Sequence, residues 1–161
     1  MIDLLIVSPS SAGLYQELQN DFSAKETNIW AGLLANSVRM DYGVAIYDME
    51  IERPSADEFF KAVKDINPRL VLFVVTGQNP NASTAAMAGA TEASSVLGDE
   101  FKIAFVGPHI NALPLEVLEK HKEIDFVFTN EGVYALKNIL KSSMTELDLS
   151  GIKGIAYRDG A

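Results

Sequence analysis

The feature that most constrains the fold of this chain is the apolar run at residues 70–75, which is rich in β-branched side chains and does not alternate with polar residues. Such a run is typical of a strand buried on both faces in the middle of a parallel sheet. Turn-forming and hydrogen-bonding residues follow at 76–81, and then a helix start made almost wholly of small residues. Ligands of open α/β sheets bind beyond the carboxyl ends of the strands, so this junction predicts a ligand site.

The other apolar segments alternate between strand and helix patterns. Predicted strands lie at residues 4–7, 44–48, 102–106 and 126–128, and predicted helices begin near residues 29, 55, 83, 114 and 133. The helix at 55–67 has the clearest signal, because Ser55 and Glu58 match a capping box ahead of an apolar stripe. Residues 12–27 lack a strong period and predict a loop with partial helix.

This alternation of five strands with five helices predicts a doubly wound, open parallel five-stranded sheet. Each connection is long enough for a right-handed crossover, and the class is α/β, flavodoxin-like or Rossmann-like, with strand order 2-1-3-4-5. Residues 1–146 form the predicted domain. Residues 147–161 predict a C-terminal strand or partial hairpin, since an alternating segment runs into Asp159-Gly160, and we expect this tail to lead into a downstream domain.

Composition bounds the class of protein. The net charge of −9 disfavours nucleic-acid and anionic-membrane partners. The absence of cysteine excludes disulfides, thiolate zinc sites and an iron–sulfur cluster ligated from within these residues. No apolar run approaches the roughly 20 residues of a membrane-spanning helix, and the N-terminus lacks the basic region of a signal peptide, so we expect a cytoplasmic protein.

The sequence lacks the motifs of three familiar kinds of site that bind or accept phosphate. The first strand is followed by neither a dinucleotide-binding glycine pattern nor a P-loop. A phospho-receiver pocket does not fit either, because Asp3 begins its strand, the wrong end for an active site, and Thr76 stands where an acceptor aspartate is needed.

Four loops at the predicted carboxyl edge, at 8–13, 76–84, 107–111 and 129–132, are rich in small or hydrogen-bonding residues and predict a broad, shallow platform. The roles of several side chains there have more than one interpretation. His109 is a loop-bracing residue or a ligand contact, with a general base or metal ligand as further alternatives. Glu131 contacts a ligand or caps the following helix. Ser83 and Thr84 contact a ligand or are plain N-caps.

These loops also carry a family resemblance that covers nearly the whole chain. Residues 106–109, Val-Gly-Pro-His, resemble a Gly-Gly-Pro-His turn, residues 113–118 resemble a Pro-Glu-x-x-Leu helix start, and residues 124–132 resemble an Asp-x-Val-x-x-Gly-Glu-Gly-Glu run. Residues 152–158 resemble a Gly-Leu-x-Tyr-Arg strand. Together they resemble the N-terminal cobalamin-binding domain of cobalamin-dependent radical S-adenosylmethionine enzymes.

The resemblance implies a cobalamin-binding module of a larger enzyme, a methyltransferase, that holds the corrin over the carboxyl edge and buries its dimethylbenzimidazole tail. Small residues Ala85, Ala86 and Gly89 would let the tail approach the helix at 83–97. The partner would be a C-terminal radical domain of the same chain, which would bind S-adenosylmethionine and an iron–sulfur cluster, so these residues alone would not be catalytic. The implied cobalamin contacts are Ser8, Pro9, Thr76, Gly77, Ser83, Thr84, Gly107, Pro108, His109, Glu131 and Gly132.

The chain departs from the family pattern at three points, and it also lacks a motif of other cobalamin proteins. Val106, Asn130 and Val133 replace two glycines and a glutamate of the motifs. The Asp-x-His-x-x-Gly motif, which places a histidine on cobalt in other cobalamin proteins, is missing, so we expect a corrinoid held without protein histidine ligation. The three departures favour an alternative, a flavodoxin-like domain with a degenerate pocket that acts in interaction or substrate recognition.

Overall fold

The computed structural model describes residues 2–10, 27–77, 80–142 and 148–158, with the backbone alone at 80–83. The strands are β1 Leu4–Ser8, β2 Val44–Asp48, β3 Leu70–Val74, β4 Ile103–Val106, β5 Phe126–Phe128 and β6 Ile155–Tyr157. They form one sheet in the order β2-β1-β3-β4-β5-β6. The first five strands are parallel to one another, and β6 is antiparallel to β5. The predicted class is thus confirmed, and the order 2-1-3-4-5 holds for the five parallel strands, but the sheet has six strands because β6 adds an antiparallel strand at its edge.

Helices cover both faces of the sheet. They are α1 Ile29–Val38, α2 Met49–Glu52, α3 Ala56–Ile66, α4 Pro80–Leu97, α5 Pro108–Ala112, α6 Pro114–Lys120 and α7 Val133–Lys141, with a 3₁₀ turn at Gly98–Glu100. Helices α1 and α7 pack on one face, while α3, α4 and α6 pack on the other. Since β3 is covered on both sides and all five of its residues are buried, it shows no alternation in sequence.

Local helix signals were accurate where a cap defines the boundary. Helix α3 begins after Ser55 with a complete capping box to Glu58 and ends at Asn67 in the left-handed region. Helix α4 begins at Pro80, three residues earlier than predicted, because proline suits a first turn. The reading of Ser83 and Thr84 as N-caps is therefore wrong, since both lie inside α4.

Two short helices, α2 and α5, were not predicted, and the predicted count of five is too low. Each spans five residues or fewer, too short for a hydrophobic period to show in sequence. Helix α2 is stabilised by Asp48, whose carboxylate accepts the N–H groups of Glu50 and Ile51. This aspartate has a capping role at the end of β2.

The C-terminal residues pack onto the sheet as a strand, as predicted. Thr129 donates its N–H to the Gly154 carbonyl at 2.9 Å, beside the β5–β6 ladder. Arg158 then donates to three carbonyls at the end of α6 and in the following loop, those of Leu118, Lys122 and Ile124. The predicted hairpin turn at 159–160 and nearly all of the predicted loop at 12–27 lie outside the described residues. In the described part of the chain, no helix has the length and hydropathy to cross a bilayer.

Candidate ligand-binding site

A cleft of about 350 Å³ opens at the carboxyl ends of β3, β4 and β5, beside the start of α1. It is lined by Trp30, Thr76, Gly77, Val106, Gly107, Pro108, Asn111, Asn130 and Glu131. We call it the carboxyl-edge cleft. Loops after three neighbouring strands contribute to it, which is the usual position of a ligand site in an open α/β sheet.

Gly107 brings the β4 turn close to β3. Its φ is +149°, and a Cβ at this position would lie 1.9 Å from the Val75 carbonyl oxygen. That space is already filled by backbone, since Val75 also donates its N–H to the Val106 carbonyl at 2.8 Å. A glycine is therefore required here, and the cleft wall that it forms is bare backbone.

The inner wall of the cleft is apolar. Val106 is 1% exposed and belongs to the core cluster between the sheet and helices α1 and α7. Trp30, on the first turn of α1, is partly buried and packs against the same cluster. The indole and the Val106 side chain therefore present hydrocarbon to any group that enters.

Asn28 was not predicted as a site residue, yet it fixes the position of Trp30. Its side-chain oxygen accepts the Ala31 N–H at 3.2 Å and caps α1. Its amide nitrogen donates to Ser8 Oγ at 3.3 Å and to the Val74 carbonyl at 3.2 Å, which joins α1 to the ends of β1 and β3. The sequence did contain a signal for this role, because an asparagine directly before the apolar Ile29-Trp30 pair is a typical helix N-cap.

Asn130, one of the departures from the family pattern, braces the β5 loop. Its side-chain oxygen accepts the Gly132 N–H at 2.8 Å. Gly154 lies against it with φ +84°, and a Cβ at Gly154 would lie 2.4 Å from the Asn130 amide nitrogen. The segment before β6 therefore packs directly on a residue that lines the cleft.

The structure brings five of the eleven predicted contacts together in this cleft: Thr76, Gly77, Gly107, Pro108 and Glu131. Ser8 and Pro9 are buried, and the Ser8 hydroxyl accepts a hydrogen bond from Asn28. Gly132 is buried as the N-cap of α7, with φ +79°. His109 is half-buried in α5 and Thr84 is exposed on α4, neither lining the cleft. The side chain of Ser83 lies outside the described residues.

Glu131 does not cap α7 in the described structure. The N-cap residue is Gly132, and no hydrogen bond joins the exposed Glu131 carboxylate to the described part of the chain. The contact between Glu131 and a ligand stays a prediction. The carboxylate lies at the mouth of the cleft.

A second groove, also about 350 Å³, lies between α3 and α4 on the opposite face of the sheet. It contains Ala85 and Gly89, two of the small residues expected beside a cobalamin tail. A Cβ at Gly89 would lie 1.8 Å from the Ser10 carbonyl oxygen, so the space beside this glycine is already occupied by the backbone of Ser10. The small residues of α4 thus face away from the carboxyl-edge cleft.

The side chains in the carboxyl-edge cleft suit binding better than acid–base catalysis. Its polar side chains among the described residues are Thr76, Asn111, Asn130 and the Glu131 carboxylate, and no hydrogen bond joins the Thr76 hydroxyl to that carboxylate as a nucleophile would be joined to its base. The described residues contain no group of three or more metal-ligating side chains. An apolar wall with polar groups at the mouth is the usual make-up of a small-molecule site.

Comparison with known proteins gives a consistent result. The family described as B12 binding domain matches residues 20–140. A curated protein, the uncharacterized methyltransferase PH0819 of Pyrococcus horikoshii, is 26% identical over 129 residues, which cover 78% of this chain and 27% of that protein.

Among solved structures, the chain is similar to the cobalamin-dependent S-adenosylmethionine radical enzyme OxsB. With aqua-cobalamin and S-adenosylmethionine bound, OxsB matches with a TM-score of 0.69 at 18% identity, over 99% of this chain and 21% of its own. The apo form of OxsB matches with a TM-score of 0.57 over the same shares. The chain therefore spans between a fifth and a third of the length of these relatives.

Proposed function

Because the chain belongs to the B12 binding domain family, we propose that it is the cobalamin-binding module of a larger radical S-adenosylmethionine enzyme, a methyltransferase. The observation that supports this most directly is the carboxyl-edge cleft, which lies at the ligand end of the sheet and is walled by Trp30, Val106 and the bare backbone of Gly107. Cobalamin is the ligand for which this family is named.

The shape of the site fits a corrinoid that lies partly outside it. A cleft of about 350 Å³ is near the lower end of the range for ligand pockets and is too small for the corrin macrocycle with its amide arms. It has room for the flat base at the end of one arm, the nucleotide tail. The macrocycle would rest across the loops at the strand ends, where Thr76, Asn111 and Asn130 offer hydrogen-bonding groups.

When bound, cobalamin supplies a cobalt centre for methyl transfer. The chain's own residues position the cofactor and exclude water from the buried arm. We propose that no protein histidine binds cobalt. Neither histidine lines the cleft, and His121 ends α6 at the amino edge of the sheet, opposite the cleft.

The rest of the catalytic apparatus belongs to the larger enzyme. This chain has no cysteine for an iron–sulfur cluster. We propose that a downstream radical domain binds the cluster and S-adenosylmethionine. The relationship to a protein described as a methyltransferase, of which this chain covers 27%, supports methyl transfer as the reaction of the larger enzyme.

Titration of the 161-residue chain with hydroxocobalamin, followed by calorimetry and the visible spectrum, tests the proposal. We expect saturable one-to-one binding. Asn111→Tyr, which adds bulk at the exposed mouth of the cleft, should weaken binding at least tenfold. Asn138→Tyr, at an exposed position on α7 away from the cleft, is the matched control and should bind normally.

Two outcomes would overturn parts of the proposal. A bound spectrum with an axial imidazole that is lost in His109→Gln would exclude the histidine-free mode. The absence of binding at 100-fold excess of hydroxocobalamin over protein, at roughly 100 μM, would overturn the cobalamin module and favour a degenerate pocket with an interaction role.

A further inference from the structure

The carboxyl-edge cleft differs in polarity between its inner wall and its mouth. The inner wall is formed by Val106, which is 1% exposed, and by the partly buried Trp30. The mouth holds the exposed Asn111, Asn130 and Glu131. A group that reaches the inner wall therefore meets hydrocarbon and the indole ring, while a group at the mouth meets hydrogen-bonding partners and water.

The nucleotide arms of natural corrinoids differ in the base at their tip. Dimethylbenzimidazole is a flat bicyclic ring with two methyl groups. Adenine, which replaces it in pseudocobalamin, is similar in size but carries an exocyclic amine and more ring nitrogens. An apolar wall favours the first base, because methyl groups gain by burial and a flat ring packs well against an indole.

We infer that Trp30, together with Val106, selects the base of the corrinoid's nucleotide arm, accepting dimethylbenzimidazole over adenine. This inference rests on the proposed function and adds a specificity that the family assignment does not include. Adenine at the inner wall would lose water from its amine without a side-chain partner there, and an unpaired polar group is costly to bury. Cobinamide, which lacks the arm, would leave the wall unfilled.

Trp30 is the only tryptophan of the chain, so its fluorescence reports occupancy of the cleft directly. The experiment is titration of the 161-residue chain with cobalamin, pseudocobalamin and cobinamide, by tryptophan fluorescence and by calorimetry. We expect pseudocobalamin to bind roughly tenfold more weakly than cobalamin, the penalty of about one unmatched buried polar group. Cobinamide should bind more weakly still.

Substitutions on α1 separate selection from general stability. Trp30→Ala should weaken cobalamin binding about tenfold and bring the pseudocobalamin and cobalamin affinities within about twofold, while Trp30→Phe should keep part of the preference. Leu33→Ala is the matched control, since Leu33 lies on the same helix, is 52% exposed and does not line the cleft. Circular dichroism melts establish that each variant is folded.

The wild-type titrations test the inference even if Trp30→Ala does not fold. Equal affinities for cobalamin and pseudocobalamin would overturn it while leaving the proposed function intact. Retention of the full preference in a folded Trp30→Ala variant would also overturn it. If none of the three corrinoids binds, the proposed function itself fails, and the inference fails with it.

Discussion

The amino and carboxyl ends of the parallel strands use their hydrogen-bonding groups in opposite ways. At the amino ends, Asp3 precedes β1 and accepts the N–H of Gly43, directly before β2, at 2.9 Å. Asp125 precedes β5 in the same manner and accepts the N–H of Ile103, the first residue of β4, at 2.8 Å. In both cases an aspartate ties the start of its own strand to the start of the neighbouring strand.

Basic side chains complete the amino end. Arg69 lies 3.0 Å from the Asp3 carboxylate and also donates to the Ser142 carbonyl at 2.8 Å, at the end of α7. Lys102 lies 2.7 Å from the Asp125 carboxylate. These four charged groups are thus paired within the chain.

The carboxyl end keeps part of its hydrogen-bonding capacity unused. Asn111 and Glu131 face the cleft, and neither has a side-chain hydrogen bond to the described part of the chain. The polar side chains described at the amino end are all used to stabilise the fold, whereas the carboxyl end combines bracing residues such as Asn28 and Asn130 with groups that remain available to a ligand. Substitutions at the two ends should therefore affect different measurements.

The largest expected effect comes from Gly107, a carboxyl-end residue whose substitution should change both the stability of the fold and corrinoid binding. Gly107→Ala places a Cβ against the Val75 carbonyl and a side chain at φ +149°, so the β4 turn has to move away from β3. We expect the free energy of unfolding to fall by about 3 kcal/mol, and corrinoid binding to be lost together with the turn. Urea unfolding followed by circular dichroism measures the change.

Gly32→Ala is the control for that substitution. Gly32 sits inside α1, and apart from its chain neighbours and the backbone of that helix no atom lies within 4 Å of an added Cβ there. Alanine there should raise the free energy of unfolding by up to about 1 kcal/mol through helix propensity. A Gly107→Ala protein as stable as the wild type would contradict the requirement for glycine in the turn.

An intermediate effect is expected at the amino end. Arg69→Met removes the partner of Asp3 and the bond to the Ser142 carbonyl, and should lower the free energy of unfolding by about 2 kcal/mol. Cobalamin affinity should remain within about twofold of wild type, because the cleft lies at the other end. Arg39→Met is the control, since Arg39 is exposed and its side chain bonds only to Asn36 in the described structure. Weakened cobalamin binding in a folded Arg69→Met variant would show that the two ends are coupled.

The smallest effect is a pH dependence. The N–H of Gly43 and then the Arg69 guanidinium lower the pKa of the Asp3 carboxyl below its ordinary 3.8. Because the folded state favours the ionised form, the ionised Asp3 carboxylate stabilises the fold at pH values above the ordinary pKa of an unfolded aspartate. That contribution is lost as the pH falls through the lowered folded value.

Asp3→Asn should therefore destabilise the protein at pH 7, and the difference from wild type should shrink as the pH falls below about 4. Urea unfolding at several pH values, with the exposed Asp41→Asn as control, measures it. A difference between Asp3→Asn and wild type that stays constant with pH would exclude ionisation of Asp3 as its source.

Much of the fold could be predicted because its signals are local. The capping box at Ser55 and Glu58 defined the start of α3 to the residue. The unbroken apolar run of β3 indicated burial on both faces, and the alternation of elements indicated the doubly wound class, for which the flavodoxin-like order of the five parallel strands was predicted. Asn28 shows the limit of such signals: its position before α1 predicts a cap, whereas its bonds to Ser8 and Val74 depend on the packed sheet.

By itself, the sequence determined the α/β class, the end of the sheet where a ligand site is expected, and the lack of any cysteine that could bind an iron–sulfur cluster. The tertiary structure decided which side chains share the site. It turned Ala85 and Gly89 toward the opposite face and brought Trp30 of α1 beside Val106 of β4. The periodicity of the sequence predicts which face of a helix or strand is apolar. The crossover connections and the packing of the sheet decide which distant element packs against that face.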